Sequence, residues 1–303
     1  MALTLEPLAS TDAHAYWRVF ISGRSDLPAD DLKTYLERYL ALPPEEQRTH
    51  FAFREGARIV GTIRIVGGAT ESPDANLSGF SIDPARADLA PAAIVKALDF
   101  LQAQGTTRLT ATFEDRYEPA FAAVGFRRWF ARMRMVAPVV KRPLPVDVAL
   151  QHPEETEILG LTKFFMDVYD GHLEQSFGMH VGPESDWRAY MGSVLKGESG
   201  RFMPDASFVS LDGGRLVGAV LVTHWMGTPL VSEIGVATDR RGKGLGGALL
   251  QTAMNRLADL GEGKLALFVT LGNDRAIALY ERLGFAQAGG RAVTARFGED
   301  SQV

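Results

Sequence analysis

Residues 240–247 read Arg-Arg-Gly-Lys-Gly-Leu-Gly-Gly. A glycine-dense turn that opens a helix aims several backbone N–H groups one way, with no Cβ to block a close approach. The helix N-terminus adds partial positive charge, worth ~0.3–1 kcal/mol per anionic group. Arg240, Arg241 and Lys243 raise the local potential further, so the chemistry suited to this stretch is a grip on phosphate or pyrophosphate. Three phosphate loops compete. A Walker A loop places Ser or Thr after its lysine, whereas Gly244 follows Lys243. The string Gly242-Lys-Gly-Leu-Gly-Gly247 satisfies the dinucleotide fingerprint, but that motif wants an acidic residue about 20 positions on, ending the next strand. Asp259 falls before that strand begins. The third pattern, Arg/Gln-x-x-Gly-x-Gly/Ala, fits Arg241–Gly246 throughout.

Downstream stands a second group, Asn273-Asp-Arg-Ala-Ile-Ala-Leu-Tyr280 followed by Leu283-Gly-Phe285. Seven residues make about two helical turns, so Asn273 and Tyr280 share a face. Asn273 is also a good helix N-cap without any ligand, and Tyr280 also suits a packed core position. Glu233 precedes the loop on a strand, where it is either a proton acceptor or an ion-pair partner. The chain has no cysteine, which excludes disulfides, thiolate metal sites and a cysteine nucleophile. Its six histidines show no metal-ligand spacing.

These residues need elements to hold them. A strand over 230–236 precedes the loop, and a helix over 246–260 follows it, with Leu249, Leu250, Ala253, Met254 and Leu257 at spacings of three and four. Gly261 stops that helix. A strand over 265–270 then leads to a short helix over 274–283, closed by Gly284. The same unit occurs earlier in the chain. Glu55-Gly-Ala-Arg-Ile-Val-Gly61 matches Asp212-Gly-Gly-Arg-Leu-Val-Gly218, and Gly79-Phe-Ser-Ile-Asp83 matches Gly235-Val-Ala-Thr-Asp239, 156 positions on. Leu89, Ala97, Leu101 and Gly105 keep that offset, and Val124-Gly-Phe126 matches Leu283-Gly-Phe285. Five matches in order indicate two copies of one unit. The proline-rich run 137–146 is the expected seam, giving domains 1–140 and 145–303.

The first copy lacks the chemistry of the second. Ala85–Ala90 falls on the glycine loop without a single glycine, and Asp88 stands at the place of Gly244. Phe121 replaces Tyr280 and Glu114 replaces Asn273. A carboxylate facing a pyrophosphate is repulsive, and the added Cβ atoms obstruct backbone approach.

With 303 residues, 46% hydrophobic and 23% charged, the chain is long enough for two cores. A net charge of −5 argues against a broad nucleic-acid-binding surface. No apolar run approaches the ~20 residues of a membrane helix, and the N-terminus lacks a secretory pattern. The expectation is a cytoplasmic protein that binds neither nucleic acid nor membrane.

On the paired motifs across residues 230–285, the sequence resembles the GNAT acetyltransferase superfamily. The resemblance implies an α/β fold of two tandem GNAT-like domains, each a mixed central β-sheet flanked by helices. The domain 1–140 would be degenerate and 145–303 catalytic. It implies acetyl-CoA as co-substrate, no metal, and direct transfer of the acetyl group to a primary amine of a small molecule in a ternary complex. The pyrophosphate would lie on the amides of Arg241, Gly242, Lys243, Gly244, Leu245 and Gly246. The pantetheine arm would pair with Val236 and Ala237 like an added strand, and Asn273 would contact it or position the segment. Tyr280 would protonate the departing thiolate, and Glu233 would deprotonate the amine directly or through water. The helices over 157–195, with Tyr169, His172, His180, Trp187 and Tyr190, would overlie the acceptor, with His224 and Trp225 at a strand end nearby. Two alternatives stay open: N-acetylation of a protein or peptide, and a non-enzymatic acyl-CoA-binding regulatory module.

Overall fold

The computed structural model describes residues 2–25, 32–68, 74–154, 158–198 and 200–298. In chain order the elements are β1 (Leu3–Pro7), α1 (Ala13–Ser22), α2 (Leu32–Ala41), α3 (Pro44–Gln47), β2 (His50–Glu55), β3 (Arg58–Gly67), β4 (Asp74–Ile82), α4 (Ala90–Gln102), β5 (Arg108–Glu114), α5 (Glu118–Ala123) and β6 (Phe126–Pro138). The order is then repeated in outline: α6 (Ile158–Tyr169), α7 (Glu184–Leu195), β7 (Arg201–Phe202), β8 (Phe208–Asp212), β9 (Arg215–Trp225), β10 (Thr228–Val236), α8 (Leu245–Asp259), β11 (Lys264–Thr270), α9 (Asp274–Arg282) and β12 (Ala286–Phe297).

These elements form two compact units, Met1–Met133 with Gly289–Val303, and Arg134–Ala288. The sequence suggested a linear cut at 140–145. The division instead falls inside β6, and most of β12 completes the first unit. The run 137–146 is not a free linker either. Gln251 and Asn255 on α8 hydrogen-bond the backbone at Val140 and Arg142 at 2.9–3.0 Å, which lays the segment along that helix.

In the first unit the strand order is β1-β2-β3-β4-β5-β12. β12 runs antiparallel to β5 from Ala292 opposite Glu114 to Phe297 opposite Leu109. Val293 and Ala295 on its inner face are almost wholly buried. In the second unit β11 lies beside β6, and the order continues β10-β9-β7, with β8 also paired to β9. The helix α8 turns Leu249, Leu250, Ala253, Met254 and Leu257 inward, each fully buried, as its period requires.

Both units share one feature that matters for chemistry. β10 and β11 are parallel, yet they stay in register only at Leu230–Ala266 and Val231–Leu267. A bulge against β9 follows between Val231 and Glu233, and β10 then parts from β11; bulges re-aim strands in this way. In the first unit β4 and β5 stay paired only as far as Leu77 and Ala111, and β4 has its own irregularity just beyond.

The registers also correct the internal alignment. Gly61 faces Ile82 and Gly218 faces Val236, so the two strands correspond at an offset of 154, not 156. Gly79 therefore does not hold the place of Gly235; within the bulged stretch Glu233 faces Leu221 while the counterpart Arg64 faces Ser78. The short Gly…Asp signature had drawn the sequence match two residues out of step.

Candidate active site

The glycine loop forms as its sequence requires. Gly242 and Gly244 have φ of 81° and 85°, the left-handed region that favours glycine. At Gly244 a Cβ would also meet Val146 Cγ1 at 2.8 Å, so both conformation and space demand glycine. Gly244 is the N-cap of α8 and carries no side-chain cap. The first α-helical bond runs from Ala248 N to Gly244 O. The N–H groups of Leu245, Gly246 and Gly247 are therefore the orphan donors of a helix start, at its positive end.

The expected basic side chains are placed differently. Arg240 pairs with Asp212 and, at 3.7 Å, with Asp239. Arg241 donates from Nε to Val236 O (3.0 Å) and from Nη2 to Val168 O (2.9 Å), tying the end of β10 to α6. Lys243 Nζ donates to Asp239 O at 3.1 Å. Of the three, only Arg240 is ion-paired among the described residues; Arg241 and Lys243 donate to neutral carbonyls beside the orphan N–H groups of the helix start.

Main-chain accounting separates Val236 from Ala237. Ala237 N donates to Val217 O (2.9 Å) and its carbonyl accepts from Arg240 N (2.8 Å), so both groups are committed. Ala237 is therefore no main-chain partner, contrary to the sequence-based expectation. Polar groups alternate edges along an antiparallel pair, so Val236 and Ile234 face the edge from which β11 has parted. Arg241 holds the Val236 carbonyl, which leaves the Val236 N–H and both groups of Ile234 toward the gap. Ile234 was not expected from sequence, because the pairing that selects it is tertiary.

On the other side of the gap, Asn273 caps α9: its Oδ1 accepts from Ala276 N at 3.4 Å. Its amide nitrogen lies 3.1 Å from His172 Nε2. Tyr280 is buried and packs against Phe285. Burial, followed by the Glu174 and Glu233 carboxylates, pushes its hydroxyl well above the usual tyrosine range. It therefore stays protonated at neutral pH, as a donor must.

Glu233 is only 3% exposed, and both oxygens are engaged. Tyr169 donates to Oε2 at 2.9 Å and Tyr190 to Oε1 at 2.6 Å. Burial raises its carboxyl above the usual range, opposed by the nearby His180 and by the two hydroxyls. A second buried carboxylate, Glu174, lies in the turn Leu173–Phe177 after α6. It accepts from Thr270 Oγ1 at the end of β11 and lies 3.0 Å from His180 Nε2. The His180 ring stacks on Tyr169 at 3.7 Å between centroids and 10° between planes, with Trp187 at 5.5 Å. Burial holds His172 toward its neutral form.

The segment after α6 thus touches both parted strands, β10 through Glu233 and β11 through Thr270. The sequence did not single out Glu174: a lone Glu in a turn carries no signal until its partners, far along the chain, are known. His224 lies elsewhere, 3.7 Å from Glu262, and Trp225 packs edge-on to Phe268. Residue 157, part of the expected helical span, lies outside the described residues. Among the described residues no group of three potential metal ligands occurs, and no helix is long and apolar enough to cross a membrane.

The parted strands, left-handed glycine turn and uncapped helix define the class: a GNAT-fold protein with two copies of the fold. Residues 166–285 match the model of the acetyltransferase (GNAT) family. A mycothiol acetyltransferase of Corynebacterium aurimucosum is 41% identical over 81 residues, covering 24% of this chain and 27% of that protein. N-alpha-acetyltransferase 30 of Schizosaccharomyces pombe is 32% identical over 89 residues, 28% of this chain and 59% of that one. A mycothiol acetyltransferase of Rhodococcus erythropolis is 26% identical over 256 residues, 78% and 80% of the two chains. The first two alignments span less than two thirds of those relatives. Among solved structures, a GCN5-related N-acetyltransferase from Sphaerobacter thermophilus superposes with a TM-score of 0.73 at 14% identity, covering 97% of this chain and 95% of that one. A tandem GNAT protein from the clavulanic acid biosynthesis pathway gives 0.65 at 18%, covering 99% and 100%.

Proposed function

We propose that the second unit transfers the acetyl group of acetyl-CoA to a primary amine of a small molecule, by direct attack in a ternary complex. One observation carries this reading. The orphan N–H groups of Leu245, Gly246 and Gly247 open α8, whose loop follows the strand bearing the gap-facing groups of Ile234 and Val236. A diphosphate suits the first set, and an extended chain with amide groups suits the second. The loop amides from Gly242 to Gly246 hold the diphosphate, the Arg241 N–H being taken by the Thr238 carbonyl at 3.3 Å, and Asn273 fixes the wall opposite β10. The amine nitrogen attacks the thioester carbonyl and the carbon–sulfur bond breaks. The sulfur takes the proton of Tyr280, whose hydroxyl burial keeps loaded. Glu233 supplies the negative charge that draws an ammonium group. Since both its oxygens accept from tyrosines, it receives a proton only through a hydroxyl such as that of Tyr190.

The test has two parts. Titrating acetyl-CoA into the protein should release heat with one site per chain. Thiol release should then be followed with D-glucosamine, spermidine, tyramine, lysine and a dipeptide amide. Turnover with small amines supports the reading, whereas heat without thiol release means a binding module. The likeness to N-alpha-acetyltransferase 30 favours a second reading, N-acetylation of a peptide terminus. Turnover confined to the dipeptide amide would select it.

A further inference from the structure

The proton of the acceptor ammonium needs a receiving group that a ligand can reach. Glu233 is sealed, with each oxygen accepting from a tyrosine hydroxyl. Glu174 is sealed as well, its side chain 8% exposed and held by Thr270 and His180. The side chain of His180 is 17% exposed. The other histidine beside Glu174, His172, is more exposed at 23%, but its Nδ1 accepts from Glu174 N and its Nε2 lies against Asn273. His180 is thus the one of the two with a ring nitrogen left over. Its Nε2 faces Glu174, and its Nδ1 has no partner among the described residues.

The ring is placed with unusual care for a surface-reachable histidine. His180 has φ of 54°, one of two non-glycine residues with positive φ among those described. That conformation is costly, and it persists only where neighbours over-determine it. Gln175 Nε2 donates to the His180 carbonyl at 3.3 Å, Glu174 holds Nε2, and Tyr169 and Trp187 flank the ring. A carboxylate on one ring nitrogen fixes the tautomer and leaves the other nitrogen's lone pair outward, the arrangement a general base requires. Tyr169 in turn donates to Glu233 on β10, one residue before the gap-facing Ile234. The ring therefore belongs to the wall that adjoins the proposed thioester slot.

We propose that His180, oriented by Glu174, is the general base that takes the proton from the acceptor amine. This rests on the transferase reading above and deepens it. The ammonium gives one proton to His180 Nδ1, and the freed lone pair forms the carbon–nitrogen bond. As carbon–sulfur breaks, sulfur takes the Tyr280 proton, and the amine's second proton restores the tyrosine. His180 then releases its proton to solvent, so the sum is amide, thiol and one proton.

The experiment uses acetyl-CoA and whichever amine of the panel above gives the fastest wild-type turnover. His180→Gly suits the positive φ and leaves a hole that free imidazole can fill. It should lower kcat by about 10²-fold while KM and acetyl-CoA affinity stay within about threefold, and added imidazole should restore part of the rate. Glu174→Gln should give a smaller loss in kcat. Tyr190→Phe, which removes the route to Glu233, should cost less than His180→Gly. The proposal is overturned if His180→Gly keeps kcat within about twofold, if imidazole restores nothing, or if Tyr190→Phe is the more damaging change. A wild type that turns over no amine would instead remove the transferase reading, a result distinct from these.

Discussion

The two units part their parallel strands at the same place, but in the first a side chain of the same unit closes the gap. In the first unit the Ile82 N–H, the counterpart of the Val236 N–H, donates to the hydroxyl of Tyr117 at 3.0 Å. That hydroxyl also lies 3.5 Å from the Gly23 carbonyl. Phe80, Phe113, Phe121 and Phe126 fill the space around it, with Phe113 stacked on Phe121 at 3.8 Å. Carrying the match of Phe121 with Tyr280 back four residues sets Ala276 against Tyr117. The first unit answers a buried N–H with a phenol where the second has a methyl group. Its turn, Pro84–Leu89, has no left-handed residue, and Arg86 is paired with Glu55 and Asp88. The lesson is physical: a gap between strands exposes polar backbone that must be satisfied. A protein does this with a ligand or with its own side chain.

Changes in either unit can break that contrast. The largest effect is expected for Gly244→Val, which adds side-chain bulk where φ is 85° and Val146 is already close. Acetyl-CoA affinity by calorimetry should fall about 100-fold or more, and the first unit should not make up the loss. Next comes Tyr280→Phe, expected to lower kcat by about 10²-fold with coenzyme affinity nearly unchanged. Equal loss of both would mean the ring is structural.

A smaller effect concerns Glu233, at whose register the first unit has Ser78 and no carboxylate. Burial raises its folded-state pKa above the ordinary 4.5, so the folded chain holds this proton more tightly than the unfolded one. Its contribution to stability is full below pH 4.5 and is lost as pH rises through the raised value. Glu233→Gln stays neutral throughout. The wild type should therefore lose stability relative to this variant between pH 4.5 and neutrality, measured as urea midpoints. The opposite slope would show that the hydroxyls of Tyr169 and Tyr190 outweigh burial. The mildest change is Tyr117→Phe, which orphans the Ile82 N–H. It should cost about 1–3 kcal/mol of stability and leave coenzyme stoichiometry at one per chain. A rise to two would mean that the phenol alone kept the first gap shut.

Much of this was legible from local signals. The turn at Gly242–Gly244, the span of α8 and the cap at Asn273 are set by residues within a few positions of one another, and these matched the expectation within one residue or so. What was missed depends on distant partners. Arg240 reads as a free cation until Asp212 is seen beside it, and Ala237 reads as an available strand residue until Val217 takes its N–H. Glu174 gains meaning only from Thr270 and His180. The two-residue slip between the copies arose because a short Gly…Asp signature recurs out of step with the strand pairing, which fixes register through partners on another strand.

The exchange of the last strand has a consequence for synthesis. The part of β12 from Gly289 onward is translated after every residue of the second unit, yet its Val293 and Ala295 close the first. The N-terminal unit must therefore wait with an unpaired β5 edge while the other is made, reversing the usual order in which domains mature as they emerge. A stop codon near residue 290 would cripple the half whose coding region it leaves almost untouched.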